Sequence, residues 1–402
     1  MDIYIITNGQ FPNGMAATNR TKCFAKAIIS QGLSCKVLIY TRTERYGKKP
    51  KNIDGKGVFE GIPFQYMGKT PLRGKNPYIR KLHDLADKFR LLSYLFQHLK
   101  KNDIVISVVG QDADFVQTLI KLIHFKQAKF VRELCELPYG TGKETPKAIK
   151  KRDYILKKQF PSCDGIIAIS DTLMNLAKEY ASNKCHIIKI PILVDFEKYY
   201  IPDKSSDATT PYIFHSGTLY EQKDGFIGML EAFGKATELV KKPILFISTG
   251  TISKSPHREE IKRIINQYHL KDKVFFTGYI SDEELKENLS KASLVIINKY
   301  LNQQNTYCFS TKLGEYLAAG KPVIITNVGE AMNWLKNGES AYIVEPNDTD
   351  SLAKAIVDAF RDSEKRKAIG KNGQNICKEN FDFRNYGEKI RMFFQEITNN
   401  QL

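Results

Sequence analysis

Residues Asn305–Thr326 read NTYCFSTKLGEYLAAGKPVIIT and contain a short helical stretch followed by a β-branched run. Ser310 and Thr311 are typical of the start of a helix, and Gly320 is typical of its end. The run that begins after Pro322 predicts a buried strand. This one segment therefore predicts an α/β unit in which a helix leads directly into a strand.

The same alternation extends over the whole chain of 402 residues. In the first half, strands are predicted at 3–7, 35–40, 104–109, 130–133, 165–169 and 186–190, and helices at 18–31, 78–100, 113–123, 147–160 and 171–180. In the second half, strands are predicted at 212–216, 243–249, 273–277, 293–297, 322–326 and 341–344. Strands that alternate with helices imply parallel sheets with right-handed crossovers.

We therefore predict an α/β chain with two doubly wound Rossmann-like domains, at 1–200 and 201–380. The boundary lies in a stretch rich in Ser, Thr, Asp and Pro at 201–211. A terminal amphipathic helix, within 381–402, is expected to pack back on the first domain. Two such domains should face each other across a cleft, with the carboxyl ends of both sheets lining it.

Composition excludes several classes of protein. With 42% hydrophobic and 26% charged residues, the chain is predicted to be globular. The start MDIYIITNG does not resemble a signal peptide, and the longest apolar runs are of strand length. Seven cysteines without a Cys-x-x-Cys pattern make a disulfide framework or a zinc site unexpected, and favour a cytoplasmic location.

The positive charge is concentrated in one half of the chain. Residues 1–200 carry 34 basic and 18 acidic side chains, whereas residues 201–402 carry 27 and 26. The first half is therefore expected to meet an anionic partner.

Several loops and helix starts could bind an anion. The helix that begins near Thr311 offers unpaired amides and Lys312 to a diphosphate, and Glu315, one turn later, could accept hydrogen bonds from ribose hydroxyls. Lys223 follows the loop Ser216–Thr218 and precedes a helix, which is also a suitable place for a phosphate. A solvated lysine remains an alternative for Lys223.

Two segments of the first half are less specific. The loop that contains Gly14 joins a strand to a helix without a G-x-G-x-x-G pattern, so an ordinary turn remains open. LPYGTGKE at Leu137–Glu144 fails as a phosphate-binding P-loop, because Leu137 replaces the first glycine and Glu144 replaces the Ser or Thr. Nearby, Glu136 could act as a general base, or a carboxylate there could form a structural ion pair with Arg132.

Several of these stretches resemble the family 4, or group 1, retaining nucleotide-sugar glycosyltransferases, whose two Rossmann-like domains form the GT-B architecture. The resemblance is carried by KLGEYLAAGKPVI (Lys312–Ile324) and FTGYISDEEL (Phe276–Leu285), and more weakly by SGTLYEQK and the Gly14 loop. It implies transfer of a sugar from a nucleoside diphosphate to a hydroxyl group.

The resemblance also implies roles for individual residues. Glu315 matches the glutamate that holds the ribose, Lys223 the lysine that neutralises the diphosphate, and Gly14 the loop glycine that approaches the donor phosphates. The donor-binding backbone corresponds to Phe309, Ser310, Thr311, Lys312 and Leu313, together with Gly217.

The chain departs from the family pattern at several positions. The family's first glutamate falls on Tyr307, and its usual arginine falls on Thr218. We predict that Lys312 restores the missing positive charge. The acceptor-side histidine has no clear match near Arg132–Glu136, which leaves the acceptor base open, with Glu136 as a candidate.

The implied chemistry uses positive side chains and helix-start amides, so no metal or other cofactor is expected. The acceptor is expected to be a glycan or a lipid-linked molecule in bacterial cell-surface polysaccharide synthesis. Basic residues interleaved with apolar ones at 69–101 and 143–158 favour peripheral contact with an anionic membrane, on its cytoplasmic face. A solvated helical face is the alternative.

Other functions remain open at this stage. A GT-B sugar-nucleotide epimerase would share the fold, and a non-catalytic sugar- or partner-binding homologue would explain Tyr307 and Thr218. Nucleic acid is not an expected partner, because the sequence contains no helix-turn-helix, RNP or zinc-finger pattern.

Overall fold

The computed structural model describes residues 1–108, 112–140, 144–202, 209–217 and 219–398, and the chain forms two compact units. Unit 1 comprises Met1–Leu193 and Phe383–Leu402, and unit 2 comprises Val194–Asp382. The division thus falls a few residues before the predicted boundary at 200/201. At this crossing the Val194 amide donates to the Phe381 carbonyl at 2.9 Å, which joins the entering and leaving segments within unit 2.

Unit 1 is built on an eight-stranded sheet with the order β3-β4-β2-β1-β5-β6-β7-β8. Its strands are β1 (Asp2–Thr7), β2 (Ser34–Ile39), β3 (Lys56–Phe59), β4 (Ile62–Tyr66), β5 (Ile104–Val108), β6 (Lys129–Leu134), β7 (Gly165–Ala168) and β8 (His186–Lys189). All neighbouring pairs are parallel except β3 with β4. The sequence prediction missed this hairpin, in which Glu60 and Gly61 both have positive φ values.

Helices lie between the parallel strands of unit 1, as the alternation predicts. They are α1 (Ala16–Ile29), α2 (Pro77–His98), α3 (Ala113–Phe125), α4 (Pro146–Tyr154) and α5 (Asp171–Tyr180). The α2 helix starts at a clear signal, because the Asn76 side chain accepts from the Tyr78 amide and Pro77 occupies the first turn. Only Asp87, Leu91 and Leu95 of this long helix are buried, so most of its surface faces solvent.

Unit 2 contains a six-stranded, fully parallel sheet with the order β11-β10-β9-β12-β13-β14. Its strands are β9 (Tyr212–His215), β10 (Leu245–Ser248), β11 (Val274–Phe276), β12 (Leu294–Ile297), β13 (Val323–Thr326) and β14 (Tyr342–Val344). From β9 the chain adds β10 and β11 on one side of the sheet, and from β12 it adds β13 and β14 on the other side. In such a sheet the crevice between these two strands, at their carboxyl ends, is the usual ligand site.

The helices of unit 2 cover both faces of this sheet. They are α6 (Phe196–Tyr199), α7 (Glu221–Asp224), α8 (Phe226–Leu239), α9 (Arg258–Gln267), α10 (Asp282–Lys291), α11 (Gln303–Thr306), α12 (Thr311–Ala318), α13 (Thr349–Arg361) and α14 (Ser363–Asn380). Phe226 and Phe233 of α8 pack on Phe246 of β10, with ring centroids 6.1 and 5.5 Å apart. This apolar core fixes the sheet and therefore the positions at which its loops begin.

The chain ends in unit 1 with α15 (Gly387–Thr398), so the predicted helix starts several residues later than position 381. Lys389 Nζ donates to the Lys189 carbonyl at the end of β8, at 3.0 Å. Gly165 of β7 leaves no room for a Cβ, which would lie 2.5 Å from Ile397 Cδ1. The helix is thus packed closely against the sheet of unit 1.

No helix within the described residues is both long and apolar enough to cross a membrane. All seven cysteines carry free thiols.

Candidate functional site

Two polar side chains lie where β9 and β12 end, at the crevice expected for a doubly wound sheet. His215 is the last residue of β9, and Lys299 follows β12 by two residues. Both are buried, with 1% and 7% of their surface exposed. Buried polar groups at this edge of a sheet are unusual unless they serve a ligand or a hydrogen-bond network.

The loop after β9 is held by side chains from other elements of unit 2. The Ser216 amide donates to the Tyr316 hydroxyl at 2.8 Å, and the Gly217 amide donates to Thr249 Oγ1 at 3.0 Å. A Cβ on Gly217 would lie 2.4 Å from Lys312 Nζ and 3.0 Å from His215 Nε2. Glycine at this position therefore allows the ammonium and the imidazole to approach the backbone.

His215 is uncharged at neutral pH. Burial and, to a smaller extent, the neighbouring Lys312 ammonium lower its pKa to about 3, and the Asp224 carboxylate opposes this shift. Its Nδ1 lies 3.0 Å from the Ser248 hydroxyl, whereas its buried Nε2 has no hydrogen-bond partner among the described residues.

Lys312 forms an ion pair with Asp224, with 2.8 Å between Nζ and Oδ1. Asp224 is 7% exposed, and burial alone would raise its pKa. The Lys312 ammonium outweighs this effect and, together with Lys299, holds the pKa of the Asp224 carboxyl well below its usual range. Asp224 therefore stays ionised and keeps the Lys312 side chain in place.

Lys299 and Lys223 are linked through the backbone. Lys299 Nζ donates to the Lys223 carbonyl at 3.2 Å and lies 3.5 Å from Asn305 Oδ1. Burial lowers the pKa of Lys299. The Lys223 side chain itself is exposed on the four-residue helix α7. Unit 2 therefore gathers the positive charges of Lys223, Lys299 and Lys312 around the ends of β9 and β12.

The start of α12 supplies backbone amides to the same region. Ser310 occupies the N-cap position, in agreement with the predicted helix start, but its side chain makes no capping hydrogen bond. Phe309 is buried against Phe381, with ring centroids 5.6 Å apart, and Leu313 lies in the core. Phe309 and Leu313 thus anchor the helix start in the core of unit 2.

Glu315 is half-buried on α12 and accepts a hydrogen bond from the Tyr199 hydroxyl at 3.3 Å. Tyr199 ends α6 and is itself buried. This contact orients the carboxylate one turn after the helix start, as expected for a group that binds a neutral polyol. Tyr307 directly follows the short α11 and is half-buried.

In unit 1, the Gly14 loop leads into α1, which begins at Ala16. A Cβ on Gly14 would lie 2.0 Å from Thr18 Oγ1, whose hydroxyl donates to the Gln10 carbonyl at 2.7 Å. The Met15 N-cap makes no side-chain hydrogen bond, so the first turn of α1 is not capped by a side chain. A side chain at position 14 would therefore collide with Thr18, which explains the glycine.

The carboxylates at the end of β6 do not pair as one alternative predicted. Arg132 is buried and donates to the Gln159 side chain, so the predicted ion pair with Arg132 is wrong. Glu133 instead pairs with Arg20 of α1, with 2.6 Å between Oε1 and Nε. Burial raises the pKa of Glu133, and Arg20 opposes that rise. Glu136 is half-buried and contributes to the electrostatic stabilisation of Arg20.

The structure brings Gly217, Lys312 and the α12 start together around one region, with Glu315 one turn away. Thr218 lies outside the described residues. Sequence reasoning missed His215, Asp224 and Lys299. His215 and Lys299 had a readable signal, because His215 ends one apolar strand and Lys299 closely follows the carboxyl end of another. Among the residues that the structure describes, no group of His, Cys, Asp or Glu is placed to hold a metal ion.

Comparison with protein families gives one match. Residues 198–376, nearly all of unit 2, match the family model described as glycosyl transferases group 1. An uncharacterized glycosyltransferase from Methanocaldococcus jannaschii is 22% identical over 76% of this chain and 78% of its own length. The capsular polysaccharide biosynthesis glycosyltransferase CapM of Staphylococcus aureus is 23% identical over 60% of this chain and 64% of its own length.

Solved structures share the fold over nearly the entire chain. Sucrose-phosphate synthase from Thermosynechococcus elongatus superposes with a TM-score of 0.75 at 16% identity, covering 99% of both chains. HepE from Anabaena, in complex with UDP and glucose, gives a TM-score of 0.71 at 14% identity and covers 98% of both chains. The predicted GT-B fold is thereby confirmed.

Proposed function

We propose that the protein is a retaining, family 4 glycosyltransferase, which is supported by the match of residues 198–376 to the group 1 glycosyl transferase family model and by the GT-B fold. It transfers a sugar from a nucleoside-diphosphate sugar to a hydroxyl of a glycan or lipid-linked acceptor. The observation that carries the proposal is the set of cations and helix-start amides at the carboxyl ends of β9 and β12, where this sheet type binds nucleotides.

The donor diphosphate would bind the Lys312 ammonium, which has further donor protons besides the one that faces Asp224. Lys312 lies next to Gly217, where a phosphate can approach the backbone closely. Lys223 and Lys299 add positive charge, so the ammonium groups stabilise the leaving diphosphate without a metal ion. Glu315 would accept hydrogen bonds from the ribose, with Tyr199 holding its carboxylate. A Lys312→Ala variant that keeps its donor affinity would contradict this role.

In the transfer step, the bond between the anomeric carbon and the diphosphate oxygen breaks as the acceptor oxygen bonds to the same carbon. The acceptor hydroxyl loses its proton, for which Glu136 is the proposed base. The nucleoside diphosphate leaves with the electron pair of the broken bond, and the nearby ammonium groups stabilise its charge. Transfer that survives chelation with EDTA is expected.

Bacterial cell-surface polysaccharide synthesis is the setting that we propose. The similarity to a capsular polysaccharide biosynthesis glycosyltransferase supports it. Lysine is far more common than arginine in this chain, which agrees with an AT-rich bacterial genome.

We further propose that unit 1 rests on an anionic membrane on its cytoplasmic face, through an apolar stripe on α2. Tyr78, Leu82, Leu85 and Phe89 are between 66 and 78% exposed and recur at helical spacing on one side of the helix. Exposed lysines and arginines flank them, as in helices that lie at a lipid surface. Residues 1–200 also hold nearly all of the excess positive charge.

Sedimentation with vesicles tests this surface. Wild-type protein should bind vesicles that contain phosphatidylglycerol and not vesicles of phosphatidylcholine alone, and Phe89→Glu should reduce binding. Leu239→Glu, at an equally exposed site in unit 2, is the matched control. Equal binding to both vesicle types would contradict the proposal. Dimerisation that Phe89→Glu abolishes, without vesicle binding, would assign the stripe to a second copy instead.

The function itself is tested by transfer assays with UDP-, GDP- and ADP-sugars and extracted glycan or lipid-linked acceptors. We expect acceptor-dependent release of a nucleoside diphosphate, and loss of that release in Glu315→Ala. Conversion of the donor to its epimer without release would favour the epimerase alternative. Binding of a nucleotide sugar with neither reaction would favour a non-catalytic homologue.

A further inference from the structure

His215 has an unsatisfied hydrogen-bonding atom at the point where a ligand is expected. The side chain is 1% exposed, and Nε2 has no partner among the described residues. A buried polar nitrogen without a partner costs about 1–3 kcal/mol, so its presence calls for a reason. The position belongs to none of the sequence motifs from which the donor site was predicted.

Hydrogen bonding around Ser248 allows the proton of the imidazole to lie on Nε2. Ser248 Oγ accepts from the Gly250 amide at 3.3 Å and lies 3.0 Å from His215 Nδ1. When the hydroxyl donates to Nδ1, the proton of the neutral imidazole lies on Nε2. In this tautomer Nε2 is a donor without an acceptor among the described residues.

The surroundings of Nε2 suit an anionic oxygen. Gly217 exposes its Cα beside Nε2, and Lys312 Nζ lies on the same side of that glycine. The amides of Ser216 and Gly217 are already used by Tyr316 and Thr249. An oxygen that enters beside Gly217 thus meets the Lys312 ammonium and the His215 N–H.

We propose that His215 donates a hydrogen bond from Nε2 to a phosphate oxygen of the donor diphosphate. This inference rests on the proposed function, since it takes a nucleotide sugar as the ligand. The role is binding and positioning, because a neutral imidazole adds a directed donor without adding charge next to Lys312. A hydrogen bond to a charged group contributes about 10- to 100-fold in affinity.

Two substitutions separate the two nitrogens of the ring. His215→Asn retains an amide near the Nδ1 position, so it keeps a partner for Ser248, and it removes the group at Nε2. His215→Gln places its amide near the Nε2 position and gives up the contact with Ser248. A residue that merely supports the fold would depend on the Ser248 contact, whereas a phosphate ligand depends on Nε2.

The experiment is calorimetric titration of the full chain with UDP, GDP and ADP, and with the matching nucleoside. We expect His215→Asn to bind the preferred diphosphate about 10- to 100-fold more weakly than wild type, to bind the nucleoside within threefold of wild type, and to melt within a few degrees of it. His215→Gln should recover diphosphate affinity to within about fivefold of wild type.

Unchanged diphosphate affinity in His215→Asn would overturn the inference and leave the proposed function intact. Equal losses in the Asn and Gln variants would assign His215 a structural role and overturn it as well. A wild-type protein that binds none of the three diphosphates would overturn the proposed function, and the inference with it.

Discussion

Removal of the Lys312 ammonium should destabilise unit 2, because it leaves Asp224 buried without its nearest cation. Lys312→Met keeps most of the aliphatic length and deletes the 2.8 Å ion pair. Breaking a fully buried pair costs about 3–5 kcal/mol. The Lys312 side chain is 24% exposed and Lys299 also acts on Asp224, so we expect a smaller loss of about 2 kcal/mol.

The loss should depend on pH in a definite direction. The folded-state pKa of Asp224 lies below the value of about 3.9 expected for an unfolded chain. Its carboxylate therefore stabilises the fold above that pH, and the contribution is lost as the pH falls below about 4 towards the folded-state pKa. The stability difference between wild type and Lys312→Met should be largest near neutral pH and should shrink towards pH 3.

Tryptophan fluorescence is a selective assay, because Trp334 is the only tryptophan and lies in unit 2. Its ring packs on Phe381, with centroids 5.4 Å apart, so its emission should change when unit 2 unfolds. For a unit of about 190 residues, a loss of about 2 kcal/mol lowers the melting temperature by roughly 4–8 °C.

The matched control is Lys336→Met, which removes an exposed lysine of the same unit, 76% exposed and 3.8 Å from Glu339. It should melt within about 1 °C of wild type. Lys312→Met combined with Asp224→Asn should regain part of the lost stability, because the buried carboxylate is gone, whereas Lys299 loses the attraction of Asp224. Equal melting temperatures for Lys312→Met and Lys336→Met, or a double variant no better than the single one, would refute the reasoning.

Three further predictions concern other parts of the chain. Glu315→Gln should weaken nucleotide-sugar binding by about tenfold in calorimetry, because a neutral amide accepts ribose hydrogen bonds less strongly. Unchanged affinity would contradict the proposed contact between Glu315 and the ribose. Gly217→Ala should displace the flexible Lys312, lower diphosphate affinity by about tenfold and destabilise unit 2 by no more than the roughly 2 kcal/mol expected for Lys312→Met. Gly74→Ala, with open space around it, should leave affinity unchanged. Arg20→Met should destabilise unit 1 by about 3 kcal/mol, measured by circular dichroism, because it leaves Glu133 buried without its cation. The added Glu133→Gln should restore stability, and a double variant as unstable as Arg20→Met would contradict the importance of the pair.

The fold was largely predictable, since both sheets arise from apolar runs that alternate with helical stretches. The β3–β4 hairpin was missed because its strands are short and partly exposed and contain Gly57 and Pro63, which weaken a strand pattern. The available signal was the pair Glu60–Gly61, whose positive φ values suit a two-residue turn. The start of the terminal helix was predicted several residues too far towards the N-terminus. Phe381 looked like part of the apolar face of that helix, but it packs on Trp334 and Phe309 within unit 2.

The candidate site was predictable only where its residues lie close together in the sequence. Glu315 and Lys312 follow from their places at the start of one helix. The Lys312–Asp224 pair joins residues 88 positions apart, and no local pattern shows which acidic side chain the lysine meets. His215 ends an apolar strand, and its burial and unsatisfied Nε2 become visible only when the neighbouring strand and α12 are in place.

Hydrogen–deuterium exchange with and without a nucleoside diphosphate tests most directly whether the donor binds at the carboxyl ends of β9 and β12. With UDP, GDP or ADP, whichever binds, we expect slower exchange in peptides that cover the end of β9, residues 298–300 and the first turn of α12. The same unit has a groove between α8 and α13, lined by Lys235, Leu239, Asp350 and Val357, among others, and peptides from this groove should exchange as before. Protection confined to that groove or to unit 1, with none at β9, β12 and α12, would contradict the account.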